Sequence, residues 1–115
     1  MPDINKDKLL KDIINAILVI AGKDASVLND FVKAEAEKLA AEAAKVTALY
    51  KAGSISKDVF EFAMADIAMS AKQLAAIVAG LGPVTVEKAW NATVKVIWDA
   101  VSGAIGFKLP IPSMK

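Results

Sequence analysis

Apolar residues recur at intervals of three and four in four successive segments of this chain, and this periodicity most constrains its fold. One such series reads Leu28, Val32, Ala36, Leu39, Ala43, Val46 and Tyr50. Side chains at this spacing share one face of an α-helix, whereas a half-buried strand needs strict alternation of polar and apolar residues. Because no segment alternates over enough positions to form a strand, the sequence predicts an all-α fold.

Glycine, serine and proline separate the four periodic segments. The predicted helices span about 5–21, 26–52, 57–79 and 84–102. Gly22 and Gly53 suit the residue that follows a helix, and Asp24, Ser26 and Ser56 suit N-caps. Short connections favour antiparallel neighbours. We therefore expect residues 1–106 to form an antiparallel four-helix bundle.

Residues 107–115 are expected to form a short extended tail, because Pro110 and Pro112 exclude a helix there. Alternation places Phe107, Leu109 and Ile111 on one side of this tail. Two arrangements remain open at this point. The tail can lie back over its own bundle, or it can bind in a groove of a neighbouring molecule.

The residues at the centre of each apolar stripe predict the core. These are Leu39, Ile67, Trp90 and Ile97, and Val86 is also expected to point inward. Trp98 falls at the edge of the stripe in helix 4, where an indole often contacts a partner or a membrane interface.

The composition argues against an enzyme. The chain has no His and no Cys, so the usual general base near neutral pH, thiol nucleophiles and the commonest metal ligands are missing. Glu35 and Glu42 share a helix face, but carboxylate di-metal bundles also need Glu-x-x-His. We therefore predict no catalytic residue, no metal site and no cofactor.

The charge balance disfavours nucleic acid as a partner. Lys+Arg number 14 and Asp+Glu 13, which gives a formal net charge of +1, and every basic residue is Lys. Such a chain lacks the positive field and the guanidinium groups with which proteins hold phosphates.

Residues 1–21 resemble a signal peptide in having lysines before an apolar run, but Asp3, Asp7 and Asp12 interrupt the basic region. An amphipathic first helix fits better, which favours a cytoplasmic over a secreted protein. No segment is expected to be long and uncharged enough to span a membrane, and 67–86 comes nearest.

Helix 3 carries apolar residues around more of its circumference than one core can use. A second stripe, Phe62, Asp66, Met69 and Gln73, runs beside the main one. Small residues, Ala65, Ala68, Ala75 and Ala79, are expected to point outward. Asp66 is either buried with a partner or at the helix margin in contact with water, and the second arrangement is preferred.

These features favour a non-enzymatic helical-bundle module that self-associates or binds another protein through surplus apolar surface. The interface candidates are Phe62, Asp66, Met69, Gln73, Trp98, Phe107, Leu109 and Ile111. The alternative is an amphipathic, membrane-active or lipid-binding bundle, which the high content of apolar residues and alanine also suits.

Overall fold

A computed structural model of the chain describes residues 3–22, 28–81 and 84–112. It contains four helices: α1 Lys6–Ile20, α2 Asp30–Lys51, α3 Lys57–Leu81 and α4 Val86–Ile105. None of these three ranges contains a strand. Each helix packs against the next and α4 also packs against α1. The predicted antiparallel four-helix bundle is confirmed.

The helix N-termini are capped by short polar side chains. Asn5, Asn29, Ser56 and Thr85 each accept a hydrogen bond from a backbone N–H three residues further on. The Asn29 cap sets the start of α2 at Asp30, so the predicted start at residue 26 is wrong. Asp24 and Ser26, the caps predicted from sequence, lie outside the described residues.

Some of the glycines lie just after the helix C-termini, as predicted. Gly22, Gly53 and Gly106 have positive φ, which glycine adopts at no steric cost. Helix α4 continues through Gly103 to Ile105, three residues past the predicted end at 102. Gly103 thus lies inside α4, and the helix ends at Gly106, which has a φ of 85°.

The four predicted core residues, Leu39, Ile67, Trp90 and Ile97, are all buried. Val86 was predicted inward but is 38% exposed. It opens the first turn of α4, and Val84, just before the helix, is buried instead. In α1, Leu9 belongs to the core and Leu10 is half-buried.

Two aromatic contacts fix the position of α3 in the bundle. The Trp90 indole Nε1 of α4 donates a hydrogen bond of 2.8 Å to the Ala68 carbonyl in the middle of α3. At the start of α3, the Phe60 ring stacks on Tyr50 of α2 with ring centroids 4.4 Å apart. Since these contacts hold one side of α3 against its neighbours, the opposite side faces outward.

Candidate interaction surface

The outward face of α3 presents large apolar side chains to solvent. Phe62 is 73% exposed and Met69 is 66% exposed. They lie seven residues apart, which is two helical turns, and therefore share a line along the helix. Ala76 continues this line and is also exposed. We call Phe62, Met69 and Ala76 the α3 ridge.

A polar groove of about 230 Å³ separates the ridge from α2. Its charged and amide-bearing lining residues are Glu35, Lys38, Glu42, Asp66 and Gln73. Asp66 and Gln73 are exposed, which confirms the preferred placement of Asp66 at the helix margin. In the described ranges, no three His, Cys, Asp or Glu residues form a group able to hold a metal ion.

An apolar groove of about 410 Å³ lies on the other side of the ridge. Residues of α3, α4 and the tail line it: Phe60, Glu61, Met64, Ala65, Ala68, Trp98, Leu109, Pro110 and Pro112. The ridge and this groove together form one apolar surface, in which protruding side chains lie beside a depression. Surfaces of this kind are suited to bind a complementary apolar surface.

The tail lies over its own bundle. The Leu109 backbone N–H donates a hydrogen bond of 3.0 Å to the Ser102 hydroxyl at the end of α4. The Leu109 side chain packs against the core, whereas Phe107 and Ile111 remain exposed. In the single chain the tail therefore takes the intramolecular arrangement.

Trp98 is not a surface residue, contrary to the sequence prediction. Its side chain is only 5% exposed and forms part of the apolar groove beneath the tail. The physical reason is that an indole at the edge of the α4 stripe borders a groove that α3 and the tail also line, and it belongs to the buried core. Trp98 therefore takes part in the surface as groove lining.

The small residues of α3 divide between the two faces. Ala65 is exposed, and Ala68 and Ala79 are half-buried. Ala75 was predicted outward but is fully buried, because it lies between Ala71 and Val78 on the inward face.

The chain matches no protein-family model, no curated protein and no solved structure.

Helix α3 is long and apolar enough to cross a membrane, judged by length and composition. It has 25 residues, and its most apolar stretch of 18 has a mean hydropathy of 1.4. The expectation that no segment meets such a test is thus corrected. Only 33% of that stretch is buried in the bundle, which again reflects the exposed ridge.

Sequence reasoning missed three residues that line this surface. Met64 lines the apolar groove and is also a core residue. Its position, four residues after Phe60 and three before Ile67, was the available signal. Pro110 and Pro112 were treated as breakers of helix, but both line the groove. Only the path of the tail reveals that role.

Proposed function

We propose that this protein is a non-enzymatic helical module that self-associates through the outward face of α3. The observation that supports the proposal is the pair Phe62 and Met69, two large apolar side chains that stand in solvent beside an apolar groove. Aromatic residues and Met are enriched at the centres of protein interfaces, where their burial contributes most.

The surroundings of the ridge favour a protein surface as the partner. Acidic and basic side chains alternate around it, with Glu35, Lys38 and Glu42 on the α2 side and Lys72 on α3 itself. A polar rim of mixed sign around an apolar centre is typical of protein–protein contacts. A surface for nucleic acid would instead carry one sign of charge.

Light scattering across a concentration series tests this function. We expect the wild-type protein to associate at or below about 100 µM, because this concentration is well above the dissociation constants of ordinary weak interfaces. The double variant Phe62→Lys with Met69→Lys should stay monomeric while circular dichroism shows unchanged helicity. A wild-type protein that is monomeric at about 100 µM overturns the proposal.

The matched control uses two apolar residues that are exposed elsewhere. Val19 on α1 and Phe31 on α2 are 70% and 62% exposed. The variant Val19→Lys with Phe31→Lys adds the same charge and removes similar apolar surface. It should associate as the wild type does; if it is equally impaired, the contact is not specific to α3.

A second candidate function is binding to a lipid bilayer, and the membrane-length helix α3 is the observation that favours it. At 1.5 Å per residue its 25 residues extend about 37 Å, enough for a hydrocarbon core of about 30 Å. Insertion requires the bundle to open, because the inward face of α3 forms much of the core.

Co-sedimentation with phosphatidylcholine vesicles, with and without anionic lipid, tests this candidate. Membrane binding predicts that the protein pellets with vesicles and that Phe62→Lys with Met69→Lys reduces the pelleted fraction. Since the net charge is +1, anionic lipid should add little. Protein that stays in the supernatant with both vesicle types rejects the candidate.

A further inference from the structure

We infer that the outward face of α3 binds the same face of a second copy in antiparallel orientation, about a two-fold axis at Ala65. The inference rests on the proposed self-association and specifies its orientation and register. The order of charged side chains and of large and small side chains along α3 supports the antiparallel orientation.

The charges on this face are self-complementary in one orientation. Asp58, Ala65 and Lys72 follow each other at intervals of seven residues and are all exposed, so they share one line along the helix. Each charge lies about 10.5 Å from Ala65 along the axis. A perpendicular two-fold axis at Ala65 therefore places Asp58 level with Lys72 of the second copy, across the seam between the two helices. The same pairing occurs a second time at the other end of the contact.

The ridge has nearly the same centre. Phe62 and Met69 are placed symmetrically about a point half a residue from Ala65, so the axis that pairs the charges also sets Phe62 opposite Met69 of the second copy. Aromatic rings and thioether sulfur pack favourably. At the axis itself Ala65 meets Ala65, and so small a side chain allows two helices to approach closely.

A parallel arrangement loses this match. It places Asp58 level with Asp58 and Lys72 level with Lys72, and it stacks Phe62 on Phe62. Asp66 does not oppose the antiparallel arrangement directly, because it lies about 100° around the helix from Ala65. There it lines the polar groove together with Lys38, on the α2 side of the ridge.

Engineered cysteines test the orientation, since the chain has no Cys of its own. Disulfide formation requires Cα atoms within about 7 Å. Oxidation should cross-link the variant Ala65→Cys to itself. Asp58→Cys alone and Lys72→Cys alone should not cross-link, because their own copies lie about 21 Å apart along the axis. A mixture of these two should give a heterodimer, identified by intact mass.

A charge exchange tests the same register without a covalent bond. Lys72→Asp places like charges opposite each other and should raise the dissociation constant about tenfold. The double variant Asp58→Lys with Lys72→Asp exchanges the partners and should recover most of that loss. Lys88→Asp, at an exposed position on α4, is the control and should leave the constant unchanged.

The outcomes separate this inference from the function on which it rests. Homotypic cross-links at residues 58 and 72 indicate parallel pairing and overturn the inference, while self-association stands. Association by light scattering with none of the expected cross-links, or with no effect of Lys72→Asp, places the contact elsewhere and also overturns it. A monomeric wild-type protein at about 100 µM instead overturns the proposed function itself.

Discussion

The two faces of α3 carry the same residue types in opposite environments. Phe60 is 1% exposed and Phe62 is 73% exposed; Met64 is 4% exposed and Met69 is 66% exposed. Both pairs lie on one continuous helix, a few residues apart. Burial in this helix is therefore decided by angular position and not by residue type.

The ridge therefore does not contribute to the stability of the bundle. The inward face alone supplies the buried series Phe60, Met64, Ile67, Ala71, Leu74, Ala75 and Val78. Phe62 and Met69 leave apolar surface in water in the isolated chain, at a cost that folding does not recover. Burial of this face against the proposed second copy would remove that surface from water.

The largest expected effect separates the two phenylalanines. Phe60→Ala should lower the free energy of unfolding by about 3–5 kcal/mol, because it leaves a cavity and removes the stacking partner of Tyr50. Phe62→Ala should change it by no more than about 0.5 kcal/mol. Urea denaturation at a concentration below the association range measures both. Equal losses would mean that the two faces of α3 are not distinct in the folded chain.

The second prediction concerns the contact between α2 and α3. Leu39 and Ile67 are each 3% exposed and line the floor of the polar groove. Leu39→Ala or Ile67→Ala should each cost about 2–5 kcal/mol of unfolding free energy. Met69→Ala, on the outer face, is the control and should cost far less. A loss below about 1 kcal/mol at Leu39 or Ile67 would contradict the assigned helix faces.

The parts of this surface that depend on helix geometry could be predicted from sequence. Phe62 and Met69 lie on one face by spacing alone, and Asp66 at the margin follows from the same rule. The central core residues followed too, because each lies in the middle of an unambiguous stripe.

The parts that depend on distant segments could not be predicted. Trp98 is buried and shares a groove with tail residues, and neither the periodicity of α4 nor the two prolines indicates where the tail packs. The start of α2 depends on whether Asn29 or an earlier polar residue caps the helix, and several residues there have suitable side chains. The local residue pattern thus predicts which side chains share a helix face, whereas burial of that face depends on where segments distant in sequence pack.

Removal of the tail extends the comparison from α3 to the apolar groove. Deletion of residues 107–115 should expose Trp98 and shift its fluorescence to longer wavelength, most clearly in a Trp90→Phe background. Folding should lose only about 1 kcal/mol, because Leu109 is the one tail residue that packs on the core within the described part of the chain. Association should weaken more, since Pro110 and Pro112 line the groove.

Ser102→Ala is the milder counterpart of this deletion. It removes the hydroxyl that accepts the Leu109 hydrogen bond and leaves the tail sequence intact. We expect a smaller spectral shift in the same direction. An unchanged Trp98 spectrum after full deletion would contradict the covered position of this indole.

The smallest expected effect compares two buried threonines. The Thr93 hydroxyl donates a hydrogen bond of 2.9 Å to the Ala89 carbonyl. The Thr47 hydroxyl, on α2, is buried and has no hydrogen-bond partner among the described residues. A buried hydroxyl without a partner costs free energy, so Thr47→Val should raise the free energy of unfolding by about 1 kcal/mol.

Thr93→Val is the matched substitution, and it should be neutral or slightly destabilising because it removes a satisfied hydrogen bond. Chemical denaturation of the two variants and the wild type measures the difference, which cancels the contribution of the added methyl group. The test depends on the sign of the difference in unfolding free energy between the two variants. If Thr47→Val destabilises the bundle as much as Thr93→Val does, the Thr47 hydroxyl has a partner in solution, and the interior is more polar at α2 than its buried residues indicate.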